Sequence, residues 1–146
     1  MAFTNKDTVL AEMVRYIGGK QLARVAEAWE SCETLSKKLA AYADIVVLEP
    51  FDALQVAEDP QELVNIRGAP ARAALLEVRD KHAEIWAEQL SRYKGPLEKA
   101  GSSAQRLARF IVATNLNLKK SETDRGRLLE QLEDLRTAVL AVTKEA

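Results

Sequence analysis

The sequence predicts an all-α fold: an antiparallel helical bundle of three long helices plus short helices, closed by a long C-terminal coiled-coil-like helix. Three observations point there. From Leu107 to Val142 apolar residues recur in alternating steps of four and three, the spacing of a stripe that packs along another helix. Ala (23), Leu (19), Glu (15) and the 21 Lys and Arg make up just over half of the 146 residues, as expected of long helices when periodicity accompanies such a composition. Six Gly and four Pro leave few break points.

The chain reads as a single helical domain over 1–146, with helices at about 6–17, 20–44, 59–67, 71–94 and 103–143. Asn5 or Asp7 can cap the first, on which Val9, Leu10, Met13 and Ile17 share a face. Gly18-Gly19 then acts as a hinge or a tolerated weak spot. Beyond it Leu22, Val25, Trp29, Cys32 and Leu39 follow heptad-like steps, with Ser36 at the missing position, and that helix ends near Asp44. Ile45 to Leu48 reads as a helix end running into extended chain, because a residue before Pro50 is pushed out of the helical region.

Asp59-Pro60-Gln61-Glu62 is a helix start: an Asp cap, Pro at the first position and a Glu reaching back to the cap amide. This short helix stops at Gly68. The next, from Ala71 to Lys94, carries Leu76, Ala83, Trp86, Leu90 and Tyr93 on one seam, and Gly95-Pro96 bends or ends it. Gly101-Ser102-Ser103 is the last clear turn, and either Ser can cap the final helix.

About 40 residues at 1.5 Å per residue make that final helix roughly 60 Å long, against about 36 Å for the one before it. Two arrangements resolve the mismatch. If the first two segments run straight through Gly18-Gly19, a three-helix bundle closes within one chain. If the glycines fold the first segment back, the seam around Leu128, Leu132, Leu135 and Val139 needs another chain.

The formal charge is -1, from 21 basic and 22 acidic residues, so no global field draws the chain to nucleic acid or to an anionic membrane. Met1 to Asp7 has no basic stretch followed by an apolar one, and the longest aliphatic run is Ile45 to Leu48. Neither a signal peptide nor a membrane span is expected. The lone Cys32 suits a reducing compartment, which places the chain in the cytoplasm.

Catalytic equipment is scarce, and no enzyme is expected. The single His82 lies at helical spacing from Val78 and Trp86, which reads as packing. It cannot supply a His pair or the two Glu-x-x-His elements of a di-metal bundle, so no metal and no cofactor is expected. Cys32 shares a seam with apolar residues and is flanked by Glu30 and Glu33, which disfavour a thiolate. Gly18-Gly19-Lys20 fails the phosphate-loop pattern, since Val14 stands where the first Gly belongs and Gln21 where the hydroxyl belongs. Ser91-Arg92-Tyr93-Lys94 matches S-x-x-K without its companion motifs and reads as a helix C-terminus.

The leading expectation is therefore a non-catalytic protein–protein interaction module, an adaptor, assembly factor, chaperone-like or regulatory subunit, that self-associates as a homodimer. Its interaction seam is Leu107, Ile111, Leu118, Leu128, Leu132, Leu135, Val139 and Val142. Polar residues at Thr114, Ser121 and Arg125 on that seam either set its register or mark where the helix leaves the bundle. The alternative is a small-molecule-binding bundle with a pocket lined by Trp29, Trp86, Tyr93 and Phe110. A further alternative is phosphate or nucleic-acid binding through Arg106, Arg109, Lys119, Lys120, Arg125 and Arg127, although no reading module or exposed aromatic set accompanies them. Six acids and no base lie between Asp44 and Ile66, so this basic stretch also has an acidic counterpart in the same sequence.

Overall fold

The computed structural model describes residues 5–55 and 68–144, and every regular element among them is helical. In chain order they are α1 (Asn5–Trp29), α2 (Leu35–Ala43), a π-helical turn (Asp44–Leu48), α3 (Glu49–Gln55), α4 (Ala69–Leu90), a 3-10 turn (Ser91–Tyr93), α5 (Lys94–Lys99), α6 (Ala104–Ser121) and α7 (Arg125–Thr143). The helix expected at 59–67, with its Asp59 start signal, lies outside the described residues. No helix among the described residues is long and apolar enough to cross a membrane.

The two glycines do not end the first helix, because α1 runs unbroken through them. At Gly18 α1 lies close against α4: a Cβ there would lie 2.6 and 2.8 Å from the two methyls of Val78. Absence of a side chain therefore permits a close helix crossing. The buried face of α1 is Ala11, Gly18, Val25 and Trp29, small at one end and large at the other. It meets Val78 and Trp86 of α4, and Ala71 and Ala74 of α4 are buried as well. This is not the face expected from hydrophobicity, since Val9, Met13 and Ile17 lie on the outside.

The helix expected over 20–44 is divided at 30–34. Ser31 Oγ and Cys32 Sγ both donate to the Ala28 carbonyl, and Thr34 Oγ1 accepts from the Lys37 amide as the N-cap of α2. Polar side chains thus satisfy both helix ends, and the chain reverses. The Trp29 indole N–H donates to the Lys38 carbonyl across the turn.

Pro50 does not force extended chain. It sits in the first turn of α3, and the preceding five residues widen into a π turn in which the Glu49 amide bonds to the Asp44 carbonyl. The wider turn absorbs the missing proline N–H that would otherwise break the ladder. It also turns Ile45, Val46 and Val47 inward together, so the aliphatic run is buried in the middle of the bundle.

Contacts fix the helix directions. Arg15 pairs with Glu77, Gly18 faces Val78 and Trp29 meets Trp86 edge to face, so α1 and α4 run parallel. Lys38 donates to Gln89, Tyr42 bonds His82 and Arg24 pairs with Glu49, so the α2–α3 rod runs the opposite way between them. α4 ends at Leu90, earlier than expected. Gly95-Pro96 falls inside the first turn of α5, where proline has no amide bond to break.

The single helix expected over 103–143 is two helices. Ser103 caps α6, Glu122 leaves the helical region at φ -88° and ψ 134°, and Asp124 caps α7 by accepting from the Arg127 amide. Glu122 Oε1 accepts from the amides of Thr123 and Asp124, which closes the turn. Two helices of about 27 and 28 Å therefore replace a rod of about 60 Å. They fold back on one another: Leu118 and Leu128 join Val47 and Phe51 in one small apolar cluster, while Leu107, Ile111, Leu135 and Val139 join the main one.

Candidate functional site

The seam expected to meet a partner is taken up by the chain's own packing. Leu107, Ile111, Leu128, Leu135 and Val139 are buried, and Leu118, Leu132 and Val142 are partly buried against the same two clusters. Among the polar seam positions, Ser121 is the last residue of α6 and Arg125 the first of α7, so these two bracket the break. Thr114 is half-buried within α6.

The four aromatics of the alternative reading are not gathered round a cavity. Trp29 and Trp86 meet edge to face with centroids 4.6 Å apart, and Tyr42 stacks on Trp86 at 5.3 Å, so this part of the core is filled. Tyr93 is half-buried beside it with Arg92 over its ring, whereas Phe110 faces outward from α6.

The basic residues also divide. Arg106 donates to the Gly101 carbonyl at the start of α6, and Arg109 is exposed near it. Lys119 and Lys120 lie about 20 Å away at the other end of the helix. Arg125 makes a two-point pair with Asp52, at 3.0 and 3.3 Å, which joins the acidic stretch to the basic one within the chain. Arg127 is exposed.

Lys119 and Lys120 belong instead to a cleft between α3, α4 and α6 with a volume of about 610 Å³. Pro50, Ala53 and Leu54 form one wall, Leu75 and Leu76 of α4 the second, and Leu116 of α6 the third. Arg72 and Arg79 stand with the two lysines around it. No carboxylate is among the described residues lining the cleft, and none of these four cations has an ion pair among the described residues. Burial, and then the neighbouring charge of Lys120, hold the Lys119 ammonium below its ordinary pKa. The sequence reading missed Arg72, Leu75, Leu76 and Arg79. The available signal was their i, i+3, i+4, i+7 spacing, which puts two leucines between two guanidiniums on one helix face.

A second surface is the outward face of α1. Val9, Met13, Tyr16 and Ile17 are 58, 51, 64 and 52 % exposed and follow i, i+4, i+7, i+8 spacing, with the Lys20 ammonium over the Tyr16 ring. Leu76 on α4, Phe110 on α6 and Leu129 on α7 are the other exposed large apolar side chains among the described residues.

His82 is buried, and its Nδ1 is hydrogen-bonded to the Tyr42 hydroxyl at 2.8 Å. Burial, and then the charge of Lys119, push its pKa down to about 4, against a smaller opposing pull from the Gly18 carbonyl. Burial likewise raises the Tyr42 phenol. The imidazole meets the Tyr42 ring edge to face, with ring centroids 5.7 Å apart. Cys32 is half-buried with its thiol on the Ala28 carbonyl. No group of three potential metal ligands is gathered among the described residues.

Comparison of the chain with protein-family models, curated proteins and solved structures gives no match.

Proposed function

We propose that this chain is a non-catalytic helical interaction module that pairs with a protein partner, in the simplest case a second copy of itself, through the outward face of α1. The observation that carries this reading is the stripe Val9, Met13, Tyr16 and Ile17, four large side chains each more than half exposed on one helix face. Scattered exposed apolar residues are ordinary, whereas a contiguous helical stripe matches the a/d pattern that pairs helices. Two copies of α1 meeting about a two-fold axis would cover both stripes at once. The half-buried lone Cys32 suits the reducing cytoplasm, where such a module would act.

The reading rests on α1 and not on the C-terminal seam, whose leucines are committed to the core. Support for a pocket of Trp29, Trp86, Tyr93 and Phe110 is weaker, because the two tryptophans pack directly on one another. Support for a nucleic-acid surface is weaker too, because the basic residues of α6 sit at its two ends and Arg125 is paired.

Sedimentation velocity over a concentration series tests the proposal, with wild type compared to the Met13→Glu/Ile17→Glu double variant. The expected result is a dimer for the wild type and a monomer of unchanged helix content for the variant. A wild type that stays monomeric, or a variant that sediments as the wild type does, overturns self-pairing through α1.

A further inference from the structure

The cleft between α3, α4 and α6 is independent of the α1 stripe and carries a different chemistry. Its volume of about 610 Å³ falls within the range of small-molecule sites, roughly 300–1,000 Å³. Such sites pair apolar walls with a few polar groups, and here the charged groups among the described lining residues are all of one sign, with the Asn117 amide beside them. Like charges gathered at an apolar surface repel one another and lose hydration, which disfavours the empty arrangement unless a counter-charge arrives.

We propose that this cleft binds a free single-chain amphiphile with a phosphate head, the head among Arg72, Arg79, Lys119 and Lys120 and the chain against Leu75 and Leu116.

The head is a phosphate because guanidiniums bind it through paired N–H donors and ammoniums serve as point charges. A dianion also offsets more of the four positive charges than a carboxylate can. The chain is required because leucines form the walls and the volume far exceeds that of an inorganic anion. A free molecule is favoured over a bilayer surface because the apolar groups line a recess bounded by three helices. The half-buried Lys119, its ammonium held below the ordinary pKa, is the cation that gains most from an anion beside it.

Each methylene withdrawn from water contributes roughly fourfold in affinity, so decyl phosphate should bind up to about 15-fold more tightly than octyl phosphate. Calorimetric titration of the full chain with monomeric decyl phosphate, octyl phosphate, decanol and inorganic phosphate reads this directly. Both alkyl phosphates should bind more tightly than decanol and inorganic phosphate. The Arg79→Gln/Lys119→Gln variant should lose at least about tenfold for decyl phosphate at unchanged helix content, because each charge-assisted contact removed is worth about that factor. Met13→Glu/Ile17→Glu should bind decyl phosphate as the wild type does.

Equal affinity for inorganic and decyl phosphate would reduce the cleft to a bare anion site, and equal affinity for decanol would reduce it to an apolar one. Either overturns the proposal. So does association with phosphatidic-acid vesicles without binding of monomeric decyl phosphate, which would assign the cations to a membrane surface. Binding of an acidic amphipathic peptide in place of any alkyl phosphate overturns it in favour of a protein partner.

Discussion

Two adjacent glycines in α1 should respond to the same substitution very differently. Alanine in a helix interior is favoured over glycine by roughly 1 kcal/mol, because glycine loses more backbone freedom on folding. Gly19 is exposed, and a Cβ there meets nothing within 4 Å, so Gly19→Ala should realise most of that gain. At Gly18 the same Cβ would lie 2.6 and 2.8 Å from Val78 Cγ2 and Cγ1 and 3.2 Å from Val78 Cβ. Carbon atoms pack at about 3.5–4.0 Å, so the overlap is close to 1 Å. Valine on a helix is confined to essentially one χ1 rotamer and cannot swing aside. Relief requires α1 and α4 to separate along their contact.

Overpacking of this kind costs about 1–3 kcal/mol, against the gain of roughly 1 kcal/mol from propensity. Gly18→Ala should therefore fall about 1–3 kcal/mol below Gly19→Ala in stability. For a chain of this size 1 kcal/mol corresponds to about 2–4 °C in Tm, a gap readily seen by thermal and urea denaturation followed at 222 nm. Val78→Ala removes both methyls, so in that background Gly18→Ala should recover the helical gain, with a coupling energy of about 1–3 kcal/mol. If Gly18→Ala stabilises the wild type as much as Gly19→Ala does, the close crossing of α1 and α4 is refuted.

Three further outcomes follow from the core and the caps. His82 titrates near 6.5 in the unfolded chain and about 4 in the folded one, so between those values the unfolded state binds the extra proton. Its contribution is whole above pH 6.5 and declines as pH falls toward 4, by up to about 3 kcal/mol; His82→Gln should flatten the stability–pH curve there, and an unchanged slope would count against a buried neutral imidazole. Leu128 of α7 is fully buried in one cluster with Val47 and Phe51, so Leu128→Ala should cost about 2–5 kcal/mol by urea denaturation, whereas the half-exposed Asp52–Arg125 pair should show little coupling in a double-mutant cycle. Asp124→Ala should cost about 0.5–2 kcal/mol through loss of the α7 cap, and Ser121→Ala, outside that cap, should cost less.

The apolar spacing from Leu107 to Val142 reported burial better than continuity. Leu107, Ile111, Leu128, Leu135 and Val139 are all buried, yet they lie on two helices of a hairpin. Periodicity states which side chains leave water; it does not register three residues of turn when the phase resumes on the far side. The break was written in a different signal, the cap residues Glu122 and Asp124, just as Ser31 and Thr34 mark the end of α1 and the start of α2. Pro50 misled for the converse reason: a local rule against helix before proline was overridden by a π turn that buries Ile45, Val46 and Val47 together. The cleft was the least legible feature, since its walls come from segments around Leu54, Leu75 and Leu116 and only the α4 part has a local pattern.

The clearest conflict between hydrophobicity and packing is on α1, and it bears on function. The N-terminal half has two faces, one of Val9, Met13 and Ile17 and one of Ala11, Val14 and Gly18. Burial of apolar area alone would turn the first inward, since larger side chains remove more surface from water. The chain turns the second inward, because small residues let α1 lie closely against α4, as Gly18 does against Val78. The larger side chains are left in solvent over at least two turns of helix. Reversing that choice would demand a wider α1–α4 spacing and would pull Trp29 off Trp86. A fold that commits its small face to the core and leaves its large face outside has an apolar surface still to cover, which is the physical basis for expecting a second chain there.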